Sequence, residues 1–335
     1  MNFGDVPVAD AQGAILAHSV RAGSAHLRKG IILAAEDCQT LASAGVETVT
    51  VARLETDDIH EDEAALRIAR AAAGTGMRLG QATTGRCNLH AVSAGVLRVD
   101  AAAINAANAI NEAITLATPL DFTRLGAGQL AATAKIIPYG APHGAVDAAC
   151  KALVSLHGAL RIAPFQPFSA VLLMTQTPGQ KDSLNDKAAL AIEMRLAALS
   201  GTLVHTRTVP HREDAVVSAL RSREWSDADL TLILAGSATS DRADVAPAAI
   251  VEAGGRIDRF GMPVDPGNLL VLAELYGAPA IVLPGCARSP ALNGADWVLE
   301  RIAARLPVAG ADIAAMGVGG LLKEIPTRPQ PREPR

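Results

Sequence analysis

The C-terminal half of the chain alternates apolar, strand-like segments with helical segments. The apolar segments include SAVLLMTQT, TLVHTRTVP, DLTLILAG, LLVLAEL and APAIVLPG, and the helical segments include LNDKAALAIEMRLAALSG and NGADWVLERIAARL. This alternation is typical of a mostly parallel sheet with helices on both faces. We therefore predict an α/β fold class, in which residues 166–325 form a three-layer α/β domain of the usual doubly wound size.

The N-terminal half has a less regular pattern. Short strand-like segments such as VPVAD and ETVTVARL are mixed with Ala-rich helical segments such as EAALRIARAAAG. They predict an α+β N-terminal region over residues 1–165, either as one domain or as two small subdomains, 1–60 and 61–165. Residues 326–335, PTRPQPREPR, are rich in Pro and Arg and are predicted to form a disordered tail.

Charge and hydropathy exclude several classes of partner. The net charge is −4 and no Lys/Arg run is interleaved with aromatic residues, so we expect no nucleic acid partner. No apolar stretch reaches the roughly 18 residues that a membrane span needs, and the first residues lack a signal-peptide pattern, which predicts a cytoplasmic protein without a membrane partner. The cysteines lack CxxC spacing and are expected to be reduced thiols: Cys38, Cys87, Cys150 and Cys286.

A loop of small residues follows the apolar segment LTLILA. In an open α/β sheet, ligands bind beyond the carboxyl ends of the strands. Small residues let the backbone approach a ligand, hydroxyls and free amides hold an anion, and a helix N-terminus adds positive potential. The loop therefore indicates a phosphate cradle with two carboxylates beside it, and a tight turn without a ligand remains the alternative. Its residues are Gly236, Ser237, Ala238, Thr239, Ser240, Asp241 and Asp244.

Two further loops follow in the same domain. The GMPVDPGN segment holds two prolines that fix the backbone, and on its own it favours a simple turn. In the VLPGCARSP segment, Arg288 is a candidate bidentate phosphate ligand. Cys286 is interpreted as a small buried residue of a tight turn, with an exposed thiol as the alternative. The candidate residues of the two loops are Asp265, Pro266, Gly267, Asn268, Pro284, Gly285, Cys286, Arg288 and Ser289.

Three segments follow one another along the chain in the order AGSATSDRADVAPAAI, RFGMPVDPGN and IVLPGCARSP. In this order they resemble the molybdopterin-binding domain shared by molybdopterin molybdenumtransferases, gephyrin and molybdopterin adenylyltransferases. That family has a Gly-Gly-x-Ser/Thr-Gly loop with a following aspartate, then a Pro-Gly-Lys turn, then a Leu-Pro-Gly-Asn-Pro loop. The resemblance covers most of residues 168–325 and extends more loosely to residues 1–165. The matching residues are Gly236, Thr239, Asp244, Pro266, Gly267, Leu283, Pro284 and Gly285.

Three positions depart from the family pattern. Ser237 stands at the second glycine, Asn268 replaces the lysine, and Cys286 with Ala287 replaces Asn-Pro. The lysine of the family is a cation that would face phosphate or molybdate, so its loss leaves molybdate insertion open. The resemblance still implies binding of the pterin phosphate. This variant is most similar to domains associated with molybdenum cofactor cytidylyltransferases, although the chain has no Gly-x-Gly-x-Arg loop of a nucleotidyltransferase.

The resemblance implies a protein of molybdenum cofactor biosynthesis that binds molybdopterin or the molybdenum cofactor. The terminal phosphate would lie on residues 236–240, and Asp241 and Asp244 would position Mg²⁺ or act as catalytic carboxylates near the metal. The chain would either catalyse molybdenum insertion or carry the cofactor to a cytidylyltransferase or a molybdoenzyme. A phosphate-ligand enzyme outside this pathway is the third hypothesis. The family also implies a homo-oligomer, a dimer or a trimer.

Overall fold

The computed structural model describes residues 1–154, 157–222, 225, 227–265 and 267–322. Contacts between Cα atoms divide the chain into two compact units, Met1–Pro164 and Phe165–Arg335. The predicted disordered tail and the predicted site residue Pro266 lie outside the described residues. Within those residues, no helix is both long enough and apolar enough to cross a membrane.

The N-terminal unit is made of short strands and helices. The strands are β1 (Asn2–Pro7), β2 (Ile15–Leu16), β3 (Val20–Ala22), β4 (Ala25–Leu27), β5 (Thr48–Arg53), β6 (Asp58–His60), β7 (Met77–Leu79), β8 (Arg86–Ala91), β9 (Gly95–Val99), β10 (Ile114–Ala117), β11 (Arg124–Leu125), β12 (Leu130–Ile136), β13 (Gly140–Pro142) and β14 (Leu160–Pro164). The helices are α1 (Ala35–Ser43), α2 (Glu61–Ala72), α3 (Ala101–Ile110) and α4 (His143–Leu153).

Small antiparallel sheets build this unit. Three of them have the strand orders β1-β5-β2, β10-β12-β8-β7 and β11-β9-β14, and two are the pairs β3-β4 and β13-β6. Among the described residues of this unit, the larger hydrophobic core contains residues of α2, α3, α4, β8 and β12, including the fully buried Ile68, Leu89, Ile136 and Leu153. Alanines fill much of this core, and their small side chains allow helices and strands to approach closely.

The C-terminal unit alternates strands with helices. Its elements are β15 (Phe168–Gln176), α5 (Asp182–Ala197), β16 (Gly201–Pro210), α6 (Glu213–Leu220), β17 (Leu230–Leu234), α7 (Val245–Glu252), β18 (Arg256–Met262), β19 (Asn268–Leu275), β20 (Ala278–Leu283), α8 (Gly294–Ala303) and α9 (Gly310–Ala314). Strands β15, β17, β19 and β20 are apolar and mostly buried, as is typical of a sheet covered on both faces, whereas most residues of β16 and β18 are exposed or half-buried.

One six-stranded sheet organises the C-terminal unit. Its strand order is β16-β15-β17-β20-β19-β18. The first four strands of this order are parallel, whereas β19 is antiparallel to both β20 and β18. The hairpin forms because the connection from β18 to β19 is too short for the crossover that parallel strands require. The sheet is therefore mostly parallel, as predicted.

Helices cover both faces of this sheet. Helices α6 and α7 pack on one face against strand residues that include Val171, Ile233 and Val282. The neighbouring residues Leu172 and Leu232 point to the other face and are fully buried as well. Helices α5 and α8, whose buried residues lie outside that cluster, cover this second face. The predicted three-layer α/β class is confirmed.

Candidate functional site

The carboxyl ends of the parallel strands lie at one edge of the sheet, and the predicted loops leave from this edge. The chain places β16 on one side of β15 and β17 on the other, so the topological switch point lies between β15 and β17. We name the connections by the strand they follow: the β15 loop (residues 177–181), the β17 loop (235–244) and the β20 loop (284–293). The β18–β19 turn (263–267) lies at the same edge, because β19 is antiparallel to β20 and therefore begins beside the end of β20.

A cavity of about 270 Å³ lies between the β17 loop and the β20 loop. This volume is slightly below the range of about 300–1,000 Å³ for drug-sized ligands, so the cavity suits a phosphate group and the atoms next to it. Two loops that were predicted separately therefore form one cavity. Its lining residues are Ala235, Gly236, Ser237, Ala238, Thr239, Leu269, Leu283, Pro284, Gly285 and Arg288.

Successive backbone amides of the β17 loop are free to bind a ligand. In the part of the chain that the structure describes, the N–H groups of Ser237, Ala238 and Thr239 donate to no protein acceptor. The Thr239 side chain is only 5% exposed, and its hydroxyl also has no partner among those residues. Consecutive unpaired N–H groups in a small-residue loop form an anion-binding concavity. The loop thus has the donors that a phosphate cradle needs.

Gly236 is the point where the β17 loop touches the end of β15. Its N–H donates to the hydroxyl of Thr175 at 2.7 Å, and a Cβ at Gly236 would lie 2.7 Å from the carbonyl oxygen of Thr175. The Thr175 hydroxyl also lies 2.8 Å from Nδ1 of His211. Because that hydroxyl accepts from Gly236, its proton is available for His211. Position 236 therefore requires glycine because the backbone of the β17 loop passes close to that of β15, and not because of a positive φ.

Arg288 places a cation at the cavity. Its Nη2 donates to the Ala235 carbonyl at 2.9 Å, and its Nη1 donates to Oδ1 of Asn185 at 3.2 Å. A guanidinium has five N–H donors, and the other three have no partner among the described residues. Burial lowers the pKa of this guanidinium from its usual value, and it stays charged at neutral pH. Arg288 therefore keeps both charge and donors for an anion.

The carboxylates of the β17 loop are used by the loop itself. Asp244 caps helix α7, since its carboxylate accepts from Val245 N at 2.8 Å and from Ser240 N at 3.1 Å. The Asp241 carboxylate accepts from Ala243 N at 2.8 Å. Neither side chain lines the cavity, and the described residues contain no cluster of three or more His, Cys, Asp or Glu that could hold a metal ion. Magnesium at Asp241 and Asp244 would need further oxygen ligands, and it stays a prediction.

The β18–β19 turn lies beside the β20 loop. Asp265 adopts a positive φ of 56° and Gly267 one of 77°, as a tight turn requires. Asn268 is 6% exposed, its Oδ1 accepts from Leu270 N at 3.0 Å, and its Nδ2 lies 4.0 Å from Sγ of Cys286. A buried asparagine amide therefore stands at the position where the family pattern has a lysine.

The interpretation of Cys286 as a buried residue is wrong. Residues Gly285–Arg288 form a short 3₁₀ helix, which turns Ala287 inward and leaves Cys286 exposed. Partial desolvation of the sulfur raises the pKa of the thiol, and the negative charge of Asp265 raises it further. Ser289 is a structural residue of the β20 loop, because its hydroxyl accepts from Ala291 N at 3.3 Å and its carbonyl accepts from Arg195.

Several residues that position the site escaped the sequence analysis. Asn185 and Arg195 lie on α5, Gln180 lies in the β15 loop, and Thr175 and His211 lie near the ends of β15 and β16. Asn185 and Arg195 are buried polar residues in a helix whose sequence gave no sign of a site. The TPGQ segment, residues 177–180, was the signal available, since it also follows an apolar strand at the same sheet edge.

Comparison with known proteins gives a short family match. A family model described as a domain of unknown function (DUF8806) matches residues 5–53. No curated protein matches the chain. The matched segment lies in the N-terminal unit and does not include the cavity.

Solved structures similar to this chain include proteins of molybdenum cofactor biosynthesis. A molybdenum cofactor biosynthesis protein B has 11% identity and a TM-score of 0.29, and the match covers 41% of this chain and 87% of that one. The tungsten cofactor synthesizing protein MoaB from Pyrococcus furiosus has 17% identity and a TM-score of 0.28, with coverage of 42% and 89%. The molybdopterin biosynthesis MoeA protein from Pyrococcus horikosii has 12% identity and a TM-score of 0.31, with coverage of 94% and 77%. At these values the likenesses assign neither fold nor function to this chain.

Proposed function

We propose that the C-terminal unit binds molybdopterin or the molybdenum cofactor during cofactor biosynthesis, through the terminal phosphate of the pterin. One observation carries the proposal: the loops that resemble the molybdopterin-binding family converge on one cavity with free amides and a cation. The geometry supports a phosphate ligand, and the sequence resemblance supplies the identity of the molecule that bears it.

In the proposed complex, the β17 loop and Arg288 share the phosphate. The N–H groups of Ser237, Ala238 and Thr239 donate to its oxygens, and the guanidinium of Arg288 adds charge-assisted hydrogen bonds. The N-terminus of α7 follows this loop and adds positive potential. The remainder of the pterin extends out of the cavity, because about 270 Å³ is too small to enclose it.

The carboxylates of the β17 loop are the candidates for holding Mg²⁺. Magnesium commonly binds through one or two protein carboxylates together with phosphate oxygens and water. Asp241 and Asp244 fit that role only with a phosphate present, since both already accept backbone hydrogen bonds. The dithiolene of the bound pterin would supply the sulfur ligands of molybdenum. Exposed Cys286 lies in the β20 loop between the cavity residues Gly285 and Arg288, and its thiol is within the electrostatic influence of the Asp265 carboxylate.

Carriage of the cofactor without chemistry is the second candidate function. It is favoured by Asn268, whose buried amide occupies the position of the family's lysine and brings no charge. Within the described residues that line the cavity, Arg288 is the one cation. As a carrier, the chain would pass the cofactor to a separate cytidylyltransferase or a molybdoenzyme. A cytoplasmic location and a homo-oligomeric state are part of the same proposal.

Equilibrium titration with molybdopterin tests the proposed function. Both tryptophans, Trp225 and Trp297, lie in the C-terminal unit, so their fluorescence reports binding there. We expect saturation at one pterin per chain, weaker binding in Thr239→Ala, and weaker binding in Asp244→Ala, which loses the cap that shapes the loop. Binding of inorganic phosphate without binding of pterin would contradict the proposal and favour an enzyme for another phosphate ligand.

Insertion and carriage are separated by a second assay. The pterin-loaded chain is incubated with molybdate, and the appearance of active cofactor is followed by reconstitution of an apo-molybdoenzyme. Cofactor formation that depends on both molybdate and this chain supports insertion. Transfer of preloaded cofactor, without any gain from molybdate, supports carriage.

A further inference from the structure

Asn185, on the first turn of α5, carries a buried amide that contacts the cavity residue Arg288. The residue is 3% exposed. Its Oδ1 accepts from Arg288 Nη1 at 3.2 Å and from Gln180 Nε2 at 3.1 Å. Its Nδ2 has no hydrogen-bond partner among the described residues. The side chain therefore serves as an acceptor for two neighbours while its own donor stays unpaired.

The orientation of this amide follows from its neighbours. Two donors converge on the Oδ1 position, so turning the amide over would place its NH₂ group against both of them. A buried donor without a partner is costly to a folded protein. Stability of α5 therefore does not explain why an asparagine occupies this position. The need for a hydrogen-bond acceptor for Arg288 and Gln180 does explain it.

We propose that Asn185 is a positioning residue that holds Arg288 at the phosphate cavity. The inference rests on the proposed function of that cavity. Arg288 has a long, flexible side chain and two anchors, the Ala235 carbonyl and Oδ1 of Asn185. With both anchors, the guanidinium is fixed next to the free amides of the β17 loop before a ligand binds. Without Asn185, binding must also order the arginine, which weakens it.

The same amide links the cavity to the β15 loop. Gln180 donates to Asn185, and its Oε1 accepts from the hydroxyl and the N–H of Thr177 at 3.3 and 3.4 Å. A single asparagine thus connects the β15 loop with the β20 loop, and Arg288 extends this link to the β17 loop through the Ala235 carbonyl. We expect its loss to affect Arg288 first, because that side chain lines the cavity and Gln180 does not.

A double-mutant cycle tests this role with inorganic phosphate as the probe. Phosphate dissociation constants are measured by calorimetry on the full chain for wild type, Asn185→Ala, Arg288→Ala and the double variant. We expect Arg288→Ala to weaken binding by about tenfold or more, since it removes charge-assisted hydrogen bonds. Asn185→Ala should weaken binding severalfold in wild type and less than about twofold in the Arg288→Ala background, because the two residues act as a unit.

Two further variants separate positioning from a loss of structure. Asn108→Ala is the control, since Asn108 also makes two hydrogen bonds through its amide but lies in the N-terminal unit. It should leave phosphate binding unchanged. Asn185→Asp keeps the shape and the acceptor, so it should fold, but its carboxylate offsets the charge of Arg288 and should weaken phosphate binding.

The outcomes distinguish this inference from the proposed function. Equal losses from Asn185→Ala in both backgrounds, or no loss in Asn185→Ala, would overturn the positioning role while wild-type binding still supports the cavity. Absence of phosphate binding by wild type would overturn both.

Discussion

Arg195 of helix α5 forms a buried ion pair with Asp296 of helix α8. Three further donors of the guanidinium reach carbonyls of the β20 loop, those of Ala287, Ser289 and Ala291, at 3.0–3.1 Å. Asp296 in turn accepts from Asn293 N at 2.8 Å and completes the cap of α8. One buried arginine therefore shapes the loop that carries Arg288.

Replacement of this arginine should strongly destabilise the C-terminal unit. Arg195→Met removes the partner of a buried carboxylate and the arginine donor of the Ala287 and Ser289 carbonyls, so we expect a loss of about 3–5 kcal/mol in the free energy of unfolding. Urea unfolding followed by tryptophan fluorescence measures it, since both tryptophans lie in this unit. The control is Arg212→Met, whose ion pair with Asp214 is about two-thirds exposed and should cost less than about 1 kcal/mol. Equal effects of the two variants would contradict the role of Arg195.

Two glycines of the cavity should respond differently to an added methyl group. A Cβ at Gly236 would meet the Thr175 carbonyl at 2.7 Å, whereas one at Gly285 has nothing within 4 Å. Gly236→Ala should therefore displace the β17 loop and abolish phosphate binding, and Gly285→Ala should retain the loop. Calorimetric phosphate titration of the two variants makes the comparison. Binding by Gly236→Ala at wild-type affinity would show that the close approach does not shape the cradle.

The Thr175 hydroxyl should contribute to the stability of the C-terminal unit. Thr175→Val keeps the shape of a fully buried side chain but leaves Gly236 N without its acceptor, which should cost about 1–3 kcal/mol. Thr231→Val is the matched control, because Thr231 is buried on β17 and its hydroxyl has no partner within the described chain. Urea unfolding of both variants checks the prediction, and a loss confined to Thr231→Val would contradict it.

The sequence predicted the architecture of the C-terminal unit because its strands are continuous apolar segments. Branched residues in β15, β17 and β20 are buried on both faces, and that pattern is visible without a structure. The antiparallel direction of β19 was available too, since five residues between the two strands leave no room for a crossover. The three loops were found for the same reason, as each directly follows or precedes an apolar strand.

The side chains that support the loops could not be predicted in this way. Asn185 and Arg195 occupy buried positions of α5 together with Ala188, Ile192 and Leu196, but charged and amide residues are mostly exposed in helices. Their burial depends on partners about 100 residues later in the chain, Arg288 and Asp296. Cys286 was assigned the wrong exposure because the 3₁₀ geometry of its loop decides which residue turns inward.

The reactivity of Cys286 should depend on Asp265. Desolvation and the Asp265 carboxylate both raise the pKa of the thiol, so less thiolate is present at pH 8 than in a free cysteine. Asp265→Asn removes the charge and suits the positive φ at this position, so the pKa should fall. Alkylation by iodoacetamide at pH 8 should become faster, by less than about tenfold because burial remains. Peptide mass spectrometry measures the rate at Cys286, with Asp241→Asn as the control; an unchanged rate would contradict the electrostatic contribution.

The pterin content of the purified chain tests the central claim most directly. The protein is exposed to a cofactor-rich extract, repurified and oxidised, and the fluorescent pterin derivative is measured per chain for wild type, Thr239→Ala and Asn108→Ala. We predict nearly one pterin per wild-type chain, a clear loss in Thr239→Ala, whose buried side chain lines the cavity, and retention in Asn108→Ala, which lies in the N-terminal unit. Wild-type protein that is folded and binds phosphate but carries no pterin would contradict molybdopterin binding.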